Sequence, residues 1–238
     1  MQCVILAGGL ATRMRPLTER IPKALIPAGG RPFVDHQLAW LAGHGVTDVV
    51  MCIGYKGDAI RAHLDAGVGG SHGLRIRFVD EGEHLRGTAG ALRLALEAGA
   101  LEESFLVTYG DSFLPIDFRE VFRAHADAGT PALMTVFRND SRWDSSNVIF
   151  DGRMVTLYDK QRRTRPAADF AFIDYGLSVL SRQVIADEVP AGVADLAALF
   201  HALSVRGALA GFEVAQRFYE IGSPAGLEDF ERWLKQNA

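Results

Sequence analysis

The chain has 238 residues, 25 of them basic and 29 acidic, for a formal charge of −4. That length suits one domain able to bury roughly 70–75% of its unfolded surface without staples. The acidic balance argues against a general binder of nucleic acid or anionic membranes, and 48% hydrophobic against 23% charged residues excludes a disordered chain. Cys3 and Cys52 each sit in an apolar run. They are expected to be buried and reduced, too few for a zinc site or a disulfide scaffold. The apolar start at Gln2–Ala7 has no basic residue before it and glycines directly after it. No signal peptide is expected, no run reaches the ~20 apolar residues of a membrane helix, and a cytoplasmic location follows. Lys23, Lys56, Lys160 and Lys235 are the four lysines. Where arginine is the default cation, each invites a closer look.

In chain order, Gln2–Leu6 reads as a buried strand, followed by a Gly/Pro-rich segment over residues 7–31. Pro32–Gly45 reads as a helix, Asp48–Ile53 as a strand, Gly57–Ala66 as a helix and Leu74–Val79 as a strand. A helix over 87–98, a strand at Ser104–Tyr109, a helix near 117–128 and a strand at Ala132–Phe137 continue the alternation. Strands alternating with helices of this length give a parallel sheet covered on both faces. The second half is less regular. Val148–Phe150, Met154–Asp159 and Ala171–Leu180 read as strands, with Asp151-Gly152 as a hairpin turn. A helix near 193–206, a strand at 208–213 and a helix from Pro224 to Lys235 close the chain. The expected result is an antiparallel flap on a parallel sheet, with ligands bound beyond the carboxyl ends of the strands.

The strongest local signal is Leu6-Ala-Gly-Gly-Leu-Ala-Thr-Arg-Met-Arg-Pro-Leu-Thr18, followed by Ile21-Pro-Lys-Ala-Leu-Ile-Pro27. A strand running into a glycine pair and then a basic turn is a phosphate cradle, because glycines let backbone N–H groups approach anionic oxygens. Arg13, Arg15 and Lys23 add cations. No G-x-x-x-x-G-K-[ST] loop and no G-x-G-x-x-G turn is present, which removes the P-loop and weakens a dinucleotide reading.

This string resembles the G-G-x-G-T-R-L-x-P-L-T…P-K signature of the sugar-1-phosphate nucleotidylyltransferases. The likeness runs on through Gly87-Thr-Ala-Gly-Ala91, Tyr109-Gly-Asp111, Asp159-Lys160, Tyr175-Gly-Leu177 and Tyr219-Glu-Ile-Gly-Ser-Pro224. In length the chain is most similar to the short members, the heptose- and mannose-1-phosphate guanylyltransferases and N-acetylmuramate-1-phosphate uridylyltransferases. The resemblance implies a Rossmann-like three-layer α/β sandwich with a mostly parallel sheet and a small antiparallel sugar-binding flap. It implies one domain over 1–238, with a nucleotide-binding half (1–137) and a sugar-phosphate half carrying the C-terminal helix (138–238). The implied partners are an NTP and a sugar 1-phosphate, with no nucleic acid or membrane, and Mg²⁺ as the cofactor. The product would be a nucleotide sugar for bacterial surface-glycan synthesis. GTP with a heptose or mannose phosphate is the leading pair. Uridylyl or thymidylyl transfer to a hexose phosphate, cytidylyl transfer to a non-sugar phosphate, and non-catalytic nucleotide-sugar binding are the alternatives. A glycosyltransferase would need D-x-D, where this chain has Asp111-Ser112-Phe113.

On the same resemblance, Leu6, Ala7, Gly8, Gly9, Leu10, Ala11, Thr12 and Arg13 hold the triphosphate, with Gly87, Thr88 and Gly110 against the nucleoside. Arg13, Lys23 and Asp111 are the catalytic residues. Arg13 faces the leaving pyrophosphate and Lys23 the α-phosphate. Asp111 is expected to ligate the metal, with capping of the next helix as the ordinary alternative. Its partner is Glu220, where the family generally has Asp. Asn147, Asp159, Lys160, Asp174, Tyr175 and Gly176 are expected on the sugar phosphate. Glu81 and Glu83 either read guanine N1–H and N2–H₂ or are solvated. Trp143 is either a stacking wall or core. Ala11 stands at the loop's third glycine position, and no extra C-terminal acyltransferase or allosteric domain is expected.

Overall fold

The computed structural model describes residues 1–10, 14, 16–67, 72–140 and 142–237. Ala11, Thr12, Arg13 and Arg15 lie outside the described residues. In chain order the main elements are β1 (Gln2–Leu6), α1 (Phe33–Gly43), β2 (Asp48–Ile53), α2 (Gly57–Asp65), β3 (Arg75–Asp80), α3 (Gly87–Glu97), β4 (Ser104–Tyr109) and α4 (Phe118–Ala128). The second half supplies β5 (Ala132–Arg138), β6 (Val148–Phe150), β7 (Val155–Tyr158), β8 (Phe172–Ser181), α5 (Arg182–Glu188), α6 (Leu196–Val205), β9 (Leu209–Val214) and α7 (Pro224–Gln236).

Seven of these strands line up in the order β3-β2-β1-β4-β8-β5-β9. All run parallel except β8, which is antiparallel to both β4 and β5. Strand side chains alternate between faces, so adjacent apolar residues in β1 feed two cores. Val4 packs with Val50, Leu92 and Phe105 under α3, α5 and α6. Ile5 packs with Met51, Leu38 and Val121 under α1, α2 and α4. With helices on both faces the central strands need no polar alternation, and all six residues of β2 are buried.

The expected flap is the β6–β7 hairpin. It is continuous with the main sheet, joined where Val148 pairs with Phe172 at the start of β8. Among the short elements that escape sequence periodicity, two stand out. One is α5, a short helix capped by Ser181. The other is a two-stranded ribbon in which Ser112–Phe113 pairs antiparallel with Tyr219–Glu220. The ribbon ties the C-terminal region to the end of β4. Next to it a third core forms as Phe230 of α7 packs edge-on against Phe33 of α1, ring centroids 5.2 Å apart, with Phe113 alongside. Among the described residues no helix is long and apolar enough to cross a membrane. Cys3 and Cys52 are free and buried, as their surroundings imply.

Candidate active site

The carboxyl ends of β1, β3 and β4 open onto a cavity of about 260 Å³. Its floor is the start of the glycine loop. Ala7 N–H donates to the Cys52 carbonyl (2.8 Å), Gly110 N–H to the Leu6 carbonyl (2.9 Å), and Tyr55 N–H to the Gly8 carbonyl (3.2 Å). These bonds hold Leu6, Ala7 and Gly8 against neighbouring strand ends, while Gly9, exposed like Leu10, still lines the cavity. Gly110 is glycine because a Cβ there would lie 2.8 Å from the Ala7 Cβ.

Lys23 and Asp111, 88 positions apart, meet at the mouth of this cavity with Nζ 2.6 Å from Oδ2. Pro22 holds extended backbone before the short 3₁₀ turn Lys23–Leu25, which aims the lysine inward. Asp111 follows β4, and the turn is pinned from behind by Gln37 of α1. The Gln37 amide donates to the carbonyls of Tyr109 (2.8 Å) and Ser112 (2.9 Å), on either side of Asp111. Helix capping, the ordinary alternative for Asp111, is excluded. Asp117 caps α4, its side chain accepting from Arg119 N–H. Glu220 arrives on the ribbon, in register with Ser112, and Ile221 N–H donates to the Asp111 carbonyl at 3.0 Å.

Among the described residues no group of three or more His, Cys, Asp or Glu could enclose an ion. Two carboxylates on paired backbone suit Mg²⁺, which takes one or two carboxylates and completes its shell with phosphate oxygens and water.

Opposite this pair, Glu81 stands at the end of β3 and also lines the cavity. Its Oε2 accepts from Arg86 N–H at 2.5 Å. Burial raises its pKa, with the Arg86 bond opposing. Gly87 then opens α3 with φ +71, and a Cβ there would meet the Ala194 carbonyl at 2.6 Å. Thr88 on the same turn donates from Oγ1 to Asp195 Oδ1 at 2.9 Å. Glu83 is exposed.

The sugar-side residues divide. Asn147 and Asp174 are brought together, Asp174 N–H donating to Asn147 Oδ1 at 3.0 Å. Burial pushes the Asp174 carboxyl up to about 6, partly offset by the Gly176 N–H bond and the positive charge of Lys160. Gly176 takes φ +95 inside the register shift of β8. The Asp159 carboxylate is turned to its own loop. It accepts from the N–H groups of Gln161, Arg163 and Thr164 and from the Thr164 hydroxyl, closing that loop. The Thr164 hydroxyl leads the bonds that hold its pKa down to about 2. Tyr175 is corrected too. Strand alternation sends it to the face opposite Asp174, where its ring is buried against Phe137 and Phe218. Lys160 Nζ lies 3.3 Å from Asp195 Oδ2, and the other oxygen of Asp195 bonds Thr88 of the cavity lining. Trp143 is neither core nor bare wall. It is half exposed and carries the Arg217 guanidinium 3.7 Å from its ring centre. Asp195, Gln37 and Arg217 were not singled out from sequence. Only Asp195 left a signal, a capping residue before an apolar run.

A family model described as nucleotidyl transferase matches residues 2–147. The chain belongs to the nucleotidyl transferase family. It is 40% identical over 134 residues to a mannose-1-phosphate guanyltransferase of Aspergillus fumigatus, covering 55% of this chain and 36% of that protein. It is 30% identical over 204 residues to the glucose-1-phosphate cytidylyltransferase of Salmonella typhimurium, covering 78% and 77%. The match thus spans about a third to a half of the fungal relatives, 36% to 51% of their length, and most of the bacterial one. The fold is similar to the crystal structure of HddC from Yersinia pseudotuberculosis, with TM-score 0.80 and 23% identity over 98% of this chain and 99% of that one. It is also similar to a UDP-glucose pyrophosphorylase complexed with UDP-glucose, with TM-score 0.78 and 14% identity over 100% and 99%. At these identities the two structures establish the nucleotide-diphospho-sugar transferase fold.

Proposed function

We propose that this chain transfers a nucleoside monophosphate from an NTP to a sugar 1-phosphate and releases pyrophosphate, with Mg²⁺ and with GTP and a mannose or heptose 1-phosphate as the favoured pair. The observation that carries the reaction class is the Lys23–Asp111 pair at 2.6 Å, set at the mouth of a glycine-floored cavity with Glu220 on the adjoining strand.

Both reactants are anionic, so positioning and charge neutralisation dominate the catalysis. An oxygen of the sugar phosphate attacks the α-phosphorus. The bond from that phosphorus to the β-phosphate bridging oxygen breaks, and pyrophosphate leaves with the electron pair. Asp111 and Glu220 would hold the metal, which supplies Lewis-acid neutralisation of phosphate oxygens. Lys23, 2.6 Å from the Asp111 carboxylate, would exchange that partner for the α-phosphate when nucleotide binds. Backbone at Ala7 and Gly8 lines the cavity and would lie beneath the phosphates, since the loop carries no bulky side chain there.

Support for guanine comes from Glu81 in the cavity wall. An ionised carboxylate only accepts hydrogen bonds. Guanine offers it two adjacent donors, N1–H and N2–H₂, where uracil and thymine offer one. The relatives named mannose-1-phosphate guanyltransferase agree with that choice. The cytidylyltransferase relative makes CTP the competing base. The test is kcat/KM for GTP against CTP, UTP, dTTP and ATP in wild type and Glu81→Gln. Loss of one acceptor is expected to cut the GTP preference about tenfold, the scale of one hydrogen bond to a charged group. CTP or UTP leading in the wild type, or an unchanged preference in Glu81→Gln, would remove Glu81 from base reading.

A further inference from the structure

The two half-sites are joined through one carboxylate. The segment before α6 crosses from the second half of the chain and lies on the first turn of α3. Ala194 N–H donates to the Arg86 carbonyl (2.9 Å), and the Ala194 carbonyl accepts from Ala89 N–H (3.0 Å) and Gly90 N–H (3.2 Å). Gly87 leaves no space for a side chain against it. Asp195 follows at once. Its Oδ1 accepts from Ala197 N–H at 3.0 Å, capping α6, and from the Thr88 hydroxyl at 2.9 Å. The Thr88 hydroxyl in turn accepts from Leu196 N–H at 2.8 Å. The other oxygen, Oδ2, faces Lys160 Nζ at 3.3 Å.

A helix cap does not need this residue, since Asn and Ser cap as well as Asp. Nor does stability need the ion pair. Both partners are more than half exposed, and such pairs contribute about 0–1 kcal/mol. What only a carboxylate does here is hold an ammonium on one oxygen while the other is locked to the nucleotide-side turn. Lys160 is a long, mobile cation, and without a fixed partner it loses rotamer entropy on engaging a phosphate.

We propose that Asp195 is a positioning residue that couples Thr88, on the nucleotide side, to Lys160, on the acceptor side, and so sets Lys160 for the acceptor phosphate. This rests on the reading of Lys160 given above. A nucleotide packed against the Gly87-Thr88 turn bears on the Thr88–Asp195 hydrogen bond, and Asp195 in turn holds the lysine. By reciprocity the acceptor phosphate tightens nucleotide binding by the same factor.

The discriminating variant is Asp195→Asn, which keeps the cap and removes the charge. Expected is a rise of about fivefold or more in the KM for sugar 1-phosphate at saturating NTP, with the Kd for NTP in the absence of acceptor within about twofold, a coupling of the size usual for contacting residues. In a Lys160→Met background the same change should add nothing. An unchanged or lowered KM in Asp195→Asn, or an equal effect in both backgrounds, would overturn the coupling. A readout independent of turnover uses the small lysine count. With the lysines ¹³C-methylated, the Lys160 resonance (assigned by its loss in Lys160→Met) should shift when GTP and Mg²⁺ are added to the wild type and stay put in Asp195→Asn. Equal shifts in both proteins would sink the proposal. An enzyme inactive on every substrate pair, yet showing that selective shift, would sink the assigned reaction and leave the coupling standing.

Discussion

The nucleotide side and the sugar side of this pocket are built from different materials. On the nucleotide side the surfaces are backbone and small residues, held by bonds between strand ends, and the two charged groups that matter face each other at 2.6 Å. On the proposed sugar side the candidate groups are side chains on irregular segments. Asp159 is consumed by its own loop, Lys160 is more than half exposed, and Asp174 is partly buried against Asn147. Among the described residues the first side is held by backbone bonds at Leu6, Ala7 and Gly8 and by the Lys23–Asp111 pair. The second depends on side-chain placement, which is why a single carboxylate, Asp195, can influence it. Changes on the nucleotide side should therefore act nearly all-or-none, and changes on the sugar side should be graded.

The largest effects belong to the charged pair. Asp111→Asn and Lys23→Ala should each lower kcat by about 10²–10³, the usual cost of one well-placed electrostatic group, while circular dichroism shows a folded protein. Near-native turnover in either would break the contrast. Next comes Gly87→Ala. Its positive φ and the Ala194 carbonyl at 2.6 Å should together cost about 1–3 kcal/mol of stability and raise the KM for NTP. Denaturant midpoints and NTP kinetics check this, and a neutral outcome would mean the α3 turn is less tightly determined than its packing indicates. Glu220 sharpens the comparison further. Glu220→Asp should retain activity if the carboxylate serves the metal, and Glu220→Gln should weaken Mn²⁺ binding measured by electron paramagnetic resonance. Unchanged Mn²⁺ affinity would remove Glu220 from the metal pair.

The smallest effect concerns stability and pH. Burial raises Asp174 to about 6, above its value in the unfolded chain, so the native state binds more protons between about pH 4 and 6. Its contribution is present below that window and lost as pH rises through it. Asp174→Asn should be neutral near pH 4 and stabilising near pH 7, by on the order of 2 kcal/mol. Urea midpoints at the two pH values measure this. A difference that does not grow with pH would show that the carboxyl is already ionised at low cost.

Much of the nucleotide side was legible because its parts are contiguous in sequence. Gly8-Gly9 follows β1 directly, Pro22-Lys23 follows at fixed distance, and Asp111 ends β4, where open α/β sheets place their ligands. The sugar side was less legible, for physical reasons. The facing of Tyr175 depends on which side of β8 meets which core. Asp159 differs from a substrate ligand only by bonds within its own loop. The ribbon that delivers Glu220 is two residues wide, too short for any period to show. Gln37 and Asp195 act across 72 and 107 positions of sequence, and spacing along the chain carries no trace of such contacts.

The most direct test of the central claim is pyrophosphate release by the wild-type protein with Mg²⁺. GTP, CTP, UTP, dTTP and ATP are crossed against mannose, glucose and heptose 1-phosphates, with Asp111→Asn run in parallel. Expected is strong release with GTP and a mannose or heptose phosphate, dependent on the sugar phosphate and on Mg²⁺, and nearly absent in Asp111→Asn. Tight nucleotide binding without pyrophosphate release from any pair, or release that Asp111→Asn leaves intact, would contradict it.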